Sequence, residues 1–228
     1  MKKKAIAMVS GGIDSATLLA YLIDKNYEVE VLSFEYGQKN TFELERAKDL
    51  VKNYEIKVHK IIKLSLDQIG GSALTDNIEV PKNSYNKNYD DKDIPVTYVP
   101  ARNTIFLSYA LAWGEVRKIN NIFFGAHIVD YSNYPDCRPE YISSYEKMAN
   151  LATEMGINGN RISIEAPFVK MSKADIIKIG INLGVDYSKT ISCYDPSADG
   201  KSCGMCDACI IRLDGFAKNN MRDPIEYQ

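Results

Sequence analysis

Histidine, long apolar runs and a charge of one sign are all scarce in this sequence, and each shortage excludes something. No stretch approaches the ~20 consecutive apolar residues of a membrane-spanning helix, so no membrane partner is expected. The 28 basic and 30 acidic residues leave a net charge of −2, which is no electrostatic footprint for nucleic acid. Lys2, Lys3 and Lys4 read as a solvated start rather than a nucleic-acid arm. Residues 5–9 are too short for the apolar core of a signal peptide and run straight into a glycine turn, so the expected location is cytoplasmic. Only His59 and His127 are present, and neither has a sequence-level reason to serve as base for the isolated Cys137; packing or substrate contact is its expected role. The other cysteines crowd near the C-terminus, which in a cytosolic chain favours metal or chemistry over disulfides. What is plentiful is core material: 45% of the 228 residues are hydrophobic, enough for a single domain spanning 1–228.

That domain is organised around KAIAMVSGGIDSATLL. Residues 5–9 read as a buried strand, Ser10, Gly11 and Gly12 break it, and 16–23 read as a helix. A strand, a glycine turn and a helix N-terminus in that order form an anion cradle, because unpaired N–H groups and the positive end of the helix dipole converge there. Ser10 and Ser15 would add hydroxyl donors on either side. The Walker lysine is missing, since Gly12 leads into Ile13, Asp14 and Ser15. The dinucleotide pattern GxGxxG is missing too. A carboxylate inside a phosphate loop repels bare phosphate, so a bridging Mg²⁺ is implied if the loop binds one. The alternative is a tight strand-to-helix turn capped by Asp14 or Ser15. Val9, Ser10, Gly11, Gly12, Ile13, Asp14, Ser15, Ala16, Thr17, Leu18 and Leu19 form the candidate nucleotide-binding segment.

Further along, strands are expected at 27–34, 56–64, 121–126 and 162–166, and helices at 41–53, 103–118, 140–155 and 172–183, the last ending at Gly184. Asn40 is expected to cap the second helix, with Glu43 completing a capping-box-like pair. On the helix at 103–118, Ile105, Tyr109, Ala112 and Val116 form the expected apolar stripe, and Trp113 a packing residue. Strands alternating with helices predict a three-layer α/β domain with a mainly parallel, doubly wound sheet of about five strands and no internal repeat. Ligands in such sheets sit beyond the carboxyl ends of the strands. The polar stretch 65–100 reads as a lid or substrate loop, or as a solvated insertion.

Cys193, Cys203, Cys206 and Cys209 follow the pattern C-x9-C-x2-C-x2-C. Four thiolates saturate Zn²⁺ and leave no open position for water, so a structural zinc site is expected, with an iron–sulfur cluster as the alternative. The loop after the fourth strand, HIVDYSNYPDCR at 127–138, carries Asp130, Tyr131, Tyr134, Asp136 and Arg138. Rings and carboxylates suit a planar base and Arg138 suits a substrate carboxylate; the alternative is a polar capping loop with a satisfied ion pair.

The SGGIDS step at 10–15 resembles the SGGxDS signature of the PP-loop ATP pyrophosphatases. Taken with YGQK at 36–39, VPARNTIFL at 99–107, GAHIVDYSNYPDCRPEYI at 125–142, and SCY with CGMCDACIIRLDGF at 192–216, the chain resembles one family of that group, the 7-cyano-7-deazaguanine (preQ0) synthases. The resemblance implies an adenine nucleotide alpha hydrolase-like fold with a zinc-binding segment at 193–216. It also implies ATP-dependent conversion of 7-carboxy-7-deazaguanine and ammonia to the nitrile, through an adenylated carboxylate and then an activated amide. ATP, Mg²⁺ and Zn²⁺ are the implied cofactors. By position, Asp14, Lys39, Arg102 and Lys173 become the catalytic candidates, and Asp130, Tyr131, Asp136 and Arg138 the base-recognition candidates. Asn40 stands where the family commonly has His, and Ile191 where it usually has Trp. The first departure leaves open a relative that stops at the amide or uses another amine; a nucleotide sensor is the non-catalytic alternative. A homodimer is compatible with the sequence, which does not set oligomeric state.

Overall fold

The computed structural model describes residues 2–85, 94–127 and 134–228. Five parallel strands, β1 (Lys4–Met8), β2 (Glu28–Glu35), β3 (His59–Lys63), β4 (Asn121–Phe123) and β5 (Ser163–Glu165), pair in the order β3-β2-β1-β4-β5. The register sets Ala5 beside Val29 and Ile6 beside Ile122. Alternation along β1 sends Ala5 and Ala7 to one face and Ile6 and Met8 to the other. Both faces are buried, so β1 carries no polar side chain between Ala5 and Met8.

The Ala5/Ala7 face packs with α1 (Ile13–Asp24), α2 (Phe42–Asn53), α6 (Lys173–Asn182) and α7 (Asp207–Lys218), through Leu18, Leu19, Ala47, Ile177 and Phe216. The Ile6/Met8 face packs with α3 (Arg102–Arg117) and α4 (Pro139–Ala152), through Leu107, Leu111, Ile142 and Tyr145. These are the three layers expected of alternating strands and helices. Strand order reverses at β1, which has β2 on one side and β4 on the other, so the crevice for a ligand opens beyond their carboxyl ends.

Several elements depart from the expected bounds. α1 begins at Ile13, so Asp14 and Ser15 lie inside its first turn rather than ahead of it. Strands β3, β4 and β5 are shorter than their apolar runs. The helix expected over 140–155 breaks at Thr153, whose extended backbone separates α4 from the short α5 (Glu154–Ile157) and whose hydroxyl accepts from Gly156 N at 3.1 Å. Thr41 directly precedes α2 and makes no side-chain cap; the cap comes from Asn40, whose Oδ1 accepts from Phe42 N at 3.1 Å. The apolar stripe expected on α3 is wrong as well. Asn103, Leu107, Ala110, Leu111 and Gly114 face the core, while Val116 is 79% exposed. Gly114 decides this orientation: a Cβ there would come within 2.8 Å of the Ile119 carbonyl, so this edge of the helix lies tight against the turn into β4. Helical periodicity identified an apolar stripe, but not the side on which the backbone could approach closest.

The described part of 65–100 is packed rather than loose. Ala73, Leu74, Val80, Thr97 and Val99 are buried, and Ala73 N donates to Val96 O at 2.9 Å. At the other end of the chain, fully buried Arg212 makes a bidentate pair with Asp223 (2.6 and 3.0 Å) and donates to Thr190 Oγ1 (2.9 Å) and Tyr187 O (3.1 Å). A guanidinium satisfied this way ties α7 to the turn after α6 and to the C-terminal tail.

Candidate active site

The turn between β1 and α1 owes its shape to one glycine. Gly11 has φ +95°, and a Cβ on it would stand 2.3 Å from Glu43 O and 2.9 Å from Ala47 N. The turn is therefore pressed against the first turns of α2. Gly11→Ala combines a strained backbone with a steric conflict, each costing about 1–3 kcal/mol. The expected result in thermal denaturation is a melting temperature lower by about 5–15 °C.

Ser15 braces the turn from inside. Its hydroxyl accepts from Ser10 N (3.2 Å) and Gly11 N (3.1 Å) and donates to Gly12 O (3.1 Å). The hydroxyl expected to face a phosphate thus shapes the loop, while Ser10 stays exposed on its rim. On the far side, a Cβ on Gly125 would come within 3.1 Å of Asp14 Cβ, so this glycine lets the chain leaving β4 abut α1.

Asp14 Oδ1 accepts from Lys173 Nζ at 2.5 Å, and Oδ2 lies 3.3 Å from His127 Nδ1. Burial opposes ionisation of Asp14, but Lys173 and His127 outweigh it and hold the carboxyl well below the usual carboxylate range. Lys173 is the first residue of α6, where the helix dipole disfavours a cation. The Ser172–Asp175 capping box stabilises that terminus, and Gly215 of α7 leaves room for the lysine stem, whose Cγ lies 3.0 Å from where a Cβ would be.

These groups open onto a cavity of about 270 Å³ at the strand ends. One wall is the turn with Ser10, Gly12 and Asp14; another is aromatic, with Phe34, Tyr36, Phe106, Tyr134 and Tyr194. Phe34 and Phe106 stack with ring centroids 3.9 Å apart. Arg102 reaches the cavity from the start of α3, donating to Tyr36 Oη at 3.4 Å with its guanidinium 5.8 Å from that ring's centroid. Cys137 also lines it; burial pushes its thiol up to about 12 with Asp136 adding to the effect, which disfavours the thiolate that a nucleophile needs.

Some candidates stand elsewhere. Lys39 is exposed and donates to Ile78 O at 2.6 Å, outside the cavity wall. Asp136 accepts from Asn103 N at 2.8 Å and so caps α3; it is buried behind the wall that Asn103 and Cys137 form. Arg138 precedes α4 on the exposed surface and does not line the cavity. Polar side chains read as ligand contacts serve here as tethers and caps, because the nearest unpaired backbone group claimed them first. Asp130 and Tyr131 lie outside the described residues. Conversely, Glu43 lines the cavity though it was expected only in a capping pair, and His127 lines it as the first residue of the loop expected to face the ligand. The signal for His127 was its position just past a strand's carboxyl end.

The four cysteines converge. The sulfurs of Cys193, Cys203, Cys206 and Cys209 lie within 4.8 Å of one another, all buried. Backbone N–H groups point at them: Cys203 N and Asp195 N at Cys193 Sγ (3.2 and 3.3 Å), Cys206 N at Cys203 Sγ (3.3 Å), and Tyr194 N at Cys206 Sγ (3.5 Å). Such donors favour thiolate over thiol, so the donor set fits a metal ion. Asn40 bridges this segment to α2, donating to Cys193 O at 2.8 Å and accepting from Phe42 N at 3.1 Å. Ile191 N donates to Gly11 O at 3.0 Å. The segment thus abuts the glycine turn and contributes Ile191, Ser192, Tyr194, Ala208 and Ile211 to the cavity wall.

Comparison with known proteins agrees with this geometry. The family described as "Queuosine biosynthesis protein QueC" matches residues 4–220. The chain is 57% identical over 230 residues to the 7-cyano-7-deazaguanine synthase of Rickettsia rickettsii (strain Sheila Smith), covering 100% of both. It is 58% identical over 226 residues to that of Rickettsia felis (strain ATCC VR-1525 / URRWXCal2), covering 99% of each. Among solved structures, NMN synthetase from Francisella tularensis shares the fold, with a TM-score of 0.50 and 15% identity over 97% of this chain and 79% of that one. With the glycine turn, the cavity and the four-cysteine segment all inside the matched region, this chain belongs to the queuosine biosynthesis protein QueC family.

Proposed function

We propose that the chain converts 7-carboxy-7-deazaguanine and ammonia to 7-cyano-7-deazaguanine, using ATP to activate first the carboxylate and then the amide oxygen. The observation that carries this reading is that the glycine turn at the start of α1 and the Arg102 guanidinium open into one aromatic-walled cavity. A carboxylate is a poor electrophile. Adenylation turns one of its oxygens into a leaving group, and this needs the nucleotide and the carboxylate side by side. Gly11, Gly12 and the first turn of α1 would cradle the pyrophosphate, with Lys173 at its edge. Arg102 is the proposed partner of the substrate carboxylate, and the aromatic wall the surface for the flat base.

Both oxygens of Asp14 are engaged by Lys173 and His127, yet a carboxylate has four lone-pair sites, so it can still hold a Mg²⁺ that arrives with the nucleotide. That ion would supply charge neutralisation on the departing pyrophosphate. Zn²⁺ is the proposed occupant of the four-cysteine site; with four thiolates its role is structural. Asn40 points at Cys193 O and at the start of α2, so its departure from the family pattern bears on packing. That removes the motive for a reading that stops at the amide.

Incubation with 7-carboxy-7-deazaguanine, ammonium and Mg-ATP, followed by mass spectrometry, tests the reading. A nitrile with AMP and pyrophosphate is expected. ADP and phosphate would rule out adenylation, and an unaltered base would favour a nucleotide sensor.

A further inference from the structure

Forming an amide from an adenylate releases a proton inside the cavity. Asp14 is held ionised between Lys173 and His127. Burial pushes Tyr36 up to about 12, with Arg102 opposing, and the Cys137 thiol up to about 12. Arg102 stays charged. Glu43 is different. It lies in the first turn of α2 with its backbone carbonyl against Gly11, it lines the cavity that Arg102 enters from α3, and the Arg102 charge acts on its carboxylate. Its carboxylate accepts no hydrogen bond from any described residue, and it caps nothing, since Thr41 precedes the helix. It therefore shares one cavity with the turn that would hold the phosphates and the guanidinium that would hold the carboxylate.

We infer that Glu43 is a catalytic base for amination, an inference that rests on the proposed function above. In the step it serves, the ammonia nitrogen forms a bond to the adenylated carboxyl carbon. The bond from that carbon to the AMP oxygen breaks, AMP leaves with the electron pair, and a nitrogen-bound proton passes to the Glu43 carboxylate. The charged and titratable groups sharing its cavity are Arg102, Tyr36, Tyr134, Tyr194, Cys137, Asp14, Lys173 and His127. Burial pushes the Glu43 carboxyl up to about 7, with Arg102 opposing, which suits a base working near neutrality. Amination should therefore rise with pH through about 7 at fixed free ammonia.

The full chain with Mg-ATP and 7-carboxy-7-deazaguanine provides two readouts: base-dependent ATP–pyrophosphate exchange without ammonia, and amide formation at fixed free ammonia across pH. Glu43→Gln should leave exchange close to wild type, slow amination by about 10²- to 10⁴-fold and flatten the rise near neutrality. Glu43→Asp, which keeps a carboxylate, should restore part of the rate. Amination at the wild-type rate in Glu43→Gln would overturn the inference. So would a raised KM for the base with unchanged kcat, which marks recognition, or an equal loss of exchange and amination, which marks a structural role. Absence of exchange in the wild type would overturn the proposed function itself and this inference with it.

Discussion

Stripping the metal from the four-cysteine site is expected to abolish turnover and melt the C-terminal segment. The four thiols are buried together, in a cluster with Ala73, Val80 and Ile191. Structural zinc contributes on the order of 10 kcal/mol of folding free energy in small metal domains, and without it mutual repulsion and burial act against the same sulfurs. The loss reaches the cavity, because Ile191, Ser192, Tyr194, Ala208 and Ile211 come from this segment and Ile191 N ties it to the glycine turn. Metal analysis before and after treatment with a strong chelator should find about one zinc per chain at the start. Pyrophosphate exchange and melting temperature should fall together, and both should return when Zn²⁺ is restored. Iron in place of zinc would overturn the assignment of the ion. Full exchange activity in metal-free protein would show that the segment holds its shape without one.

Lys173→Met is expected to slow pyrophosphate exchange by about 10²- to 10³-fold, the usual effect of deleting one group that stabilises developing charge. It should also change the response to acid. In the wild type, the Asp14 carboxyl is held below its unfolded value because Lys173 and His127 outweigh the burial that would raise it. A folded pKa below the unfolded one contributes stability above the unfolded value, ~3.9. That stability is lost as pH falls through the lowered folded value. With Lys173 gone, burial loses its main opponent and the carboxyl moves up, so the contribution shrinks or reverses. Urea unfolding from about pH 2 to 5 should show a flatter rise of stability with pH in the variant. A variant that lost exchange but kept the wild-type acid profile would place Lys173 on the phosphates without a folding role for its pair with Asp14. An unchanged exchange rate would remove it from the site altogether.

Features confined to a few neighbouring residues were legible in the chain alone. The break from apolar strand to Ser10, Gly11 and Gly12, the cysteine spacing from 193 to 209, and the alternation of strands with helices depend on local geometry and period. The glycine turn, the cysteine cluster and the parallel sheet follow them. Partners far apart in sequence were not legible. Asp136 reads as a ligand for a base until Asn103 N arrives at 2.8 Å from the start of another helix. Lys39 reads as a phosphate partner until the Ile78 carbonyl takes its ammonium. Glu43 reads as a helix cap until the fold sets it in the cavity wall with Gly12 and Arg102.

The sequence by itself determined what chemistry was on hand: an anion turn without a Walker lysine, four thiols for a metal, and carboxylates, rings and an arginine for a substrate. Only the tertiary structure decided which of those groups face the cavity. A charged or polar side chain takes the nearest unsatisfied partner, and that partner is set by the packing of elements dozens of residues away.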